Sequence, residues 1–268
     1  MYYTKFLEII KQKYKNIDIE KYKPLIEKEK EYYVIQKNDN VLLDIWFCLT
    51  VIEAINIFHN AFEFLKKREY KNGWDELAQV EISINNIKYN YKECFHYIAF
   101  TFLDQAVVKF QKIFPYKLFT SIVFVDTKEE CSLCGKPMDP FSGCEHMRGK
   151  VYLGELCQGI VTDGIFVGVD IVKRPAMKSS VLFKDLDNPE EYKLLEYLIP
   201  KLPNEYTNWD FRISTKYEQH SNFRTGRNEK CPCQSGKKYK NCCLKNPEGV
   251  FYENYDFLLP DKLLVKKK

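Results

Sequence analysis

Acid–base catalysts are scarce in this chain: 268 residues include 4 histidines, the side chain best suited to proton transfer near neutral pH. Charge of one sign is also scarce. Lys and Arg number 41 against 37 Asp and Glu, a formal +4, too little to make nucleic acid the default partner of the whole chain. Long hydrophobic runs are missing. Val41 to Phe58 is broken by Asp44 and Glu53, and Tyr97 to Val108 by Asp104. Neither supplies the roughly 20 uninterrupted apolar residues that span a bilayer, so no membrane span is expected. No Gly-x4-Gly-Lys-Ser/Thr phosphate loop occurs. The opening MYYTKFLEIIKQKYK has neither the apolar core nor the small-residue cleavage site of a signal peptide. Ten cysteines without an export signal point to metal binding in a reducing, cytoplasmic setting rather than to a disulfide framework.

What is present is ample material for a core: 45% apolar residues, with 19 Tyr and 19 Phe. Residues 1 to about 115 read as helical. Phe6, Ile9 and Ile10 form a short apolar face. Leu42, Ile45, Trp46, Leu49, Ile52, Ile55, Phe58, Phe62 and Leu65 keep helical spacing over a long stretch. Lys71-Asn72-Gly73 is expected to break the pattern before another helix. Phe95, Ile98, Ala99, Phe102, Ala106, Val107 and Phe110 form a further stripe, closed by Pro115. His59 and His96 fall within helices without metal-like neighbours, and Cys48 and Cys94 read as buried thiols. Beyond Phe119, Thr120 to Val125 and Ile165 to Val172 are strand-like, with Asp163-Gly164 expected to form a hairpin turn. Asn188-Pro189-Glu190-Glu191 signals a helix start. The expected fold class is α+β. A helical domain covers 1–118, a zinc-stabilised α+β region 119–205, a polar linker 206–225, a small zinc module 226–245 and a tail 246–268.

The C-terminal cysteines are Cys231-Pro232-Cys233 and, after eight residues, Cys242-Cys243. Zinc prefers four nitrogen or sulfur ligands in a tetrahedron, and two close thiolate pairs can supply them. So short a segment has no core of its own, so its fold must come largely from the metal. The run Gly226-Arg227-Asn228-Glu229-Lys230-Cys231-Pro232-Cys233-Gln234-Ser235-Gly236-Lys237-Lys238-Tyr239-Lys240-Asn241-Cys242-Cys243 resembles the SEC-C motif. That zinc-binding module ends the preprotein translocase ATPase SecA, where it docks the chaperone SecB and the ribosome. The resemblance implies that Cys231, Cys233, Cys242 and Cys243 are zinc ligands and that the module binds a partner. Lys230 and Gln234 depart from the usual proline and glycine, and all four ligand positions remain.

Between Arg224 and Lys245 there are seven Lys or Arg and one Glu, a formal +6. Four thiolates and a zinc ion lower this by two. Arg227, Lys237, Lys238 and Lys240 are therefore candidate partner-binding residues. They suit an acidic protein face first, and the ribosome or RNA as an alternative, with Tyr239 placed to stack on a base.

A second cluster holds Cys131-Ser132-Leu133-Cys134-Gly135, then Cys144-Glu145-His146, then Cys157. Cys-x2-Cys-Gly is a zinc-knuckle start, and Cys131, Cys134, Cys144 and His146 form the preferred shell. Cys157 is an additional thiol, or replaces Cys144 or His146. Two zinc ions per chain are thus expected. The acid–His pair also resembles the centre of HNH nucleases, which makes a metal-dependent nuclease with a degenerate HNH-like site the alternative. A second Cys-x2-Cys and a downstream Asn/His pair are missing from that comparison. The preferred reading is a non-enzymatic zinc-binding protein that docks a partner.

Overall fold

The computed structural model describes residues 1–260 except 140, 142, 184–187 and 234, and excluding the side chains of 126, 189 and 190. Two compact units follow one another, Met1–Tyr206 and Thr207–Lys268. The fold is α+β: a helical body with small antiparallel sheets.

In the first unit, α1 (Tyr2–Gln12), α2 (Ile19–Ile35), α3 (Asp39–Lys66), α4 (Tyr70–Asn90) and α5 (Ile98–Ile113) build the core. Asp18 and Asn38 cap α2 and α3, each side chain accepting a backbone N–H three residues on, which satisfies donors the helix leaves unpaired. Helix α3 is the central element. Its buried residues run from Leu42 to Leu65, and it packs on α2, α4 and α5. By length and composition α3 is apolar enough to cross a membrane, but 56% of its most apolar window is buried inside the fold. Cys48 and Cys94 are fully buried, and burial raises both thiol pKa values.

The expected break at 71–73 lies inside α4, which begins at Tyr70. The chain turns earlier, at Arg68, whose φ is 65°. Gly73 is there for contact: a Cβ on it would fall 2.7 Å from Leu65 Cδ2 and 3.3 Å from the Ala61 carbonyl oxygen, so glycine lets α3 and α4 approach. The expected stripe before α5 also shifts. Residues Lys92–His96 form a 3-10 helix, which changes the phase of the faces. Phe95 and Ile98 are therefore exposed, and Ala99, Phe100, Leu103 and Phe110 face the core. Helix α5 ends at Ile113, and Phe114 before Pro115 is extended, as the proline ring requires.

Strand β1 (Phe119–Cys131) pairs antiparallel with β4 (Gly159–Val172). Asp163-Gly164 is not a turn. Asp163 pairs with Lys128 and Gly164 with Asp126, and bulges absorb the irregular register. The connection between β1 and β4 carries the second cysteine cluster and a short hairpin of β2 (Val151–Tyr152) and β3 (Glu155–Leu156). A 3-10 turn at Pro189–Tyr192 leads into α6 (Lys193–Leu198). His59 Nδ1 lies 2.8 Å from Glu205 Oε1, a hydrogen-bonding contact within the first unit. Helices and the cysteine-bearing region thus form one unit rather than separate domains at 118.

The second unit corrects the expected linker and tail. Residues 210–218 form β5 (Asp210–Glu218), which pairs with β6 (Val250–Leu258) along its whole length, from Asp210 opposite Leu258 to Glu218 opposite Val250. Both strands carry aromatic residues, and Trp209, Phe211, Tyr255 and Phe257 cluster on them. The cysteine module is the long loop of this hairpin. Gln234 and Lys266 to Lys268 lie outside the described residues.

Candidate metal centres

Both clusters are held by the same backbone device. Cys131 N–H donates to the Lys136 carbonyl and Cys231 N–H to the Lys237 carbonyl, each at 2.8 Å. An isolated bridge then continues each pairing, Glu130 with Pro137 and Lys230 with Lys238. The tight reversals run through Gly135 at φ 67° and Gly236 at φ 75°, a region where a side chain costs energy. In the first cluster Leu133 N–H also donates to Cys131 Sγ at 3.4 Å.

The first cluster gathers Cys131, Cys134, Cys144 and His146, with donor atoms all within 4.8 Å of one another. Cys134 and Cys144 sulfurs are 3.7 Å apart, and His146 Nδ1 lies 3.6 Å from Cys131 Sγ and 3.9 Å from Cys144 Sγ. A tetrahedral zinc ion with ordinary bond lengths requires sulfur–sulfur edges of about 3.8 Å and sulfur–nitrogen edges of about 3.6 Å. The donor set fits such an ion. Cys157 Sγ is a fifth donor, 3.7 Å from Cys131 Sγ and fully buried. Cys157 also closes the loop: its N–H donates to the Lys150 carbonyl, and its carbonyl accepts from Gly149.

Long-range contacts fix this cluster to the helices. Asn90 of α4 donates to the Gly149 carbonyl at 2.8 Å and accepts from Val151 N–H at 3.0 Å. Lys30 reaches Glu155 at 2.5 Å, and Lys150 lies over the Tyr89 ring. Arg148 pairs with Glu129 on β1. The Tyr152 ring meets His146 edge-on at 4.8 Å, and its hydroxyl accepts from Met147 N–H. Asn90 carried no motif signal in the sequence.

The second cluster gathers Cys231, Cys233, Cys242 and Cys243 within the same 4.8 Å limit. Cys233 and Cys242 sulfurs are 3.5 Å apart, Cys242 and Cys243 sulfurs 3.9 Å, which again fits one tetrahedral ion. Tyr239, Cys231, Cys243 and Val250 form a miniature core with Phe223, Leu244 and Phe251 packed on it. Tyr239 is 3% exposed, so it does not present a ring for stacking on a base. Its hydroxyl lies 2.6 Å from His220 Nδ1, while His220 Nε2 lies 2.8 Å from the Asn246 carbonyl. A carbonyl only accepts, so Nε2 carries the proton and Nδ1 accepts from Tyr239. No spacing rule marked His220. Arg227, Lys237 and Lys238 are exposed, and Lys240 is half-buried.

Thiol acidity is split within each cluster. Burial disfavours the Cys131 thiolate, but the Leu133 and Cys134 amides and the thiols of Cys157 and Cys134 outweigh it and bring the pKa down to about 6. Cys233 likewise falls to about 6 against burial, through the Ser235 hydroxyl and amide and neighbouring thiols. Burial and adjacent sulfurs push Cys157 up to about 11 and Cys243 up to about 12. One sulfur in each cluster is thus ready to bind a cation at neutral pH, whereas in the second cluster the metal must displace the proton of Cys243.

The nuclease-like arrangement is not reproduced. Glu145 and His146 lie in a loop, β4 follows Cys157, and no helix occurs among the described residues between Cys131 and Asn188. His146 Nδ1 faces sulfur atoms.

Comparison with known proteins finds similarity over part of the chain only. The protein translocase subunit SecA of Endomicrobium trichonymphae is 37% identical over 76 residues, covering 25% of this chain and 9% of that protein. The SecA subunit of Clostridium botulinum is 54% identical over 37 residues, 14% of this chain and 4% of that protein. That of Finegoldia magna is 74% identical over 23 residues, 9% of this chain and 2% of that protein. The chain therefore spans less than a tenth of the length of these relatives. No solved structure matches it. Residues 227–245 match the SEC-C motif, so the chain carries a SEC-C segment alongside its two candidate metal centres.

Proposed function

We propose that the chain is a cytoplasmic zinc-binding adaptor that holds two zinc ions and docks a protein partner through its SEC-C module. The observation that carries this reading is the pair of four-donor clusters whose edges suit closed tetrahedral shells. Cys131, Cys134, Cys144 and His146 would hold one ion, and Cys231, Cys233, Cys242 and Cys243 the other. Zinc with four protein ligands has no position left for an activated water, so both sites are structural rather than catalytic.

Docking is assigned to Arg227, Lys237, Lys238 and Lys240, presented together by a metal-fixed turn. An acidic protein face is favoured over the ribosome or RNA because Tyr239 is buried in the module core, leaving charge without the stacking surface that single-stranded nucleic acid uses. Reversing Lys237 and Lys238 to Glu changes the local charge by four units, two per residue, and spares every ligand. Recovery of partners from bacterial lysate should fall sharply for Lys237→Glu/Lys238→Glu, and more at low salt than at moderate salt, since screening acts within about 10 Å. Equal recovery at both salts would reject docking through this face. Selective loss of ribosomes or RNA would reassign the partner.

A further inference from the structure

The β1–β4 hairpin carries an apolar face that none of the described residues covers. Ile122 stands opposite Val169, Phe124 opposite Phe166, and Ile171 opposite Thr120. Directly paired residues point to the same side of a sheet and alternate positions return to it. The register shift between Val123 and Phe124 takes Val167 out of the pairing and keeps Phe166 in step with Phe124. Ile122, Phe124, Phe166, Val169 and Ile171 are therefore neighbours on one face, with exposures of 66%, 47%, 66%, 55% and 65%. At the root of the hairpin Phe119 is buried and stacked on Trp74, which anchors the ribbon to the helices.

We infer that this face packs against the same face of a second copy of the chain. Thr120 and the five apolar residues are uncharged, so the face offers nothing to phosphate or to an acidic or basic segment. A two-stranded ribbon is marginal by itself and needs a layer against its apolar side. A two-fold axis through the face supplies that layer from an identical ribbon, giving sheet-on-sheet packing with a self-complementary patch. Five side chains at these exposures leave on the order of 500–600 Å² of apolar surface per copy, so pairing removes about 1,000–1,200 Å² in total, the threshold of a specific interface. A patch of this size is at the upper end of what a monomer exposes, where such patches often mark an interaction site. The inference does not depend on the docking role of the SEC-C module, which lies in the other unit.

Sedimentation velocity of the metal-loaded full chain across a hundredfold concentration range tests it. Wild type should pass from monomer to dimer. Ile122→Thr/Val169→Thr/Ile171→Thr keeps β-branched residues, and so strand preference, but removes apolar area, and should raise the dimer dissociation constant at least tenfold with circular dichroism and metal content unchanged. A monomeric wild type at every concentration overturns the inference, as does a dimer indifferent to the triple substitution. Should that variant lose its fold, p-benzoylphenylalanine at position 171 decides: irradiation should yield a cross-linked dimer, and its absence overturns the inference. A monomeric wild type that co-floats with phosphatidylcholine vesicles would overturn it in favour of a lipid surface.

Discussion

The two cysteine clusters share a turn and a donor geometry, yet they sit in different surroundings. The first joins β1 to β4 and is tied to the helices through Asn90, Lys30 and Tyr89. The second forms the loop of a single hairpin, β5 with β6, and its core contains two of its own cysteines, Tyr239 and Val250. The lesson concerns where the folding energy resides. A metal set in a packed unit cross-links elements that already have a core, whereas a metal in a core-poor loop supplies most of the order itself. The same ligand loss should thus have different reach in the two places.

The largest expected effect is at the first cluster. Cys131→Ser or His146→Ala should remove one metal equivalent and lower the melting temperature of the helical body by several degrees, on the order of 5 °C for 1–2 kcal/mol in a unit of this kind. Differential scanning calorimetry with elemental metal analysis checks both. An unchanged melting temperature would show that this cluster is as peripheral as the second.

Next, Cys231→Ser or Cys242→Ser should also cost one metal equivalent but leave the helical circular dichroism of 1–206 intact. Rapid amide exchange should be confined to 220–250. A global fall in helicity would erase the contrast between the clusters.

Acidity sharpens it further in metal-stripped protein, to the extent that the β5–β6 pairing holds the loop's geometry without the ion. Cys233, lowered from 9.0 to about 6, adds stability above pH 9 that is lost as pH falls through 6. Cys243, raised to about 12, adds stability below pH 9 that is lost as pH rises through 12. Alkylation followed by mass spectrometry at pH 7 should modify Cys233 at least tenfold faster than Cys243. The Cys233 rate should climb through pH 6 and then level. Equal rates would contradict the split.

A smaller effect is expected at His220→Ala, which removes the acceptor of the Tyr239 hydroxyl and the donor to Asn246. Such outer-shell losses typically weaken metal affinity 10–100-fold, and chelator competition should show the loss at the second cluster alone. The smallest is Cys157→Ser: four donors remain around the first ion, so two metal equivalents should persist. Loss of one would make Cys157 an obligatory ligand in place of Cys144 or His146.

Local spacing was enough to find much of this. The three- and four-residue steps from Leu42 to Leu65 became buried on α3 at every position but Leu49, which is half-buried, and close cysteine pairs marked both clusters, because one turn of backbone sets the distance between their sulfurs. Spacing failed where the deciding neighbour was far along the chain. Gly73 read as a breaker because Leu65 and Ala61, which need its missing Cβ, are in another helix. Asp163-Gly164 read as a turn because its partners in β1 were not known.

The sequence by itself determined that the chain has a helical, apolar N-terminal part, eight donors in two groups, and a SEC-C-like run of residues. Those are short-range properties, fixed by helical period and by the reach of a few bonds. Tertiary structure alone decided that 206–225 is not a linker, since β5 becomes a strand by pairing with β6 about 40 residues later. It alone decided that Tyr239 points into a core with His220 rather than outward, and that Ile122, Phe124, Phe166, Val169 and Ile171 converge on one exposed face. Burial and register depend on which distant segments meet, and a linear pattern does not carry that information.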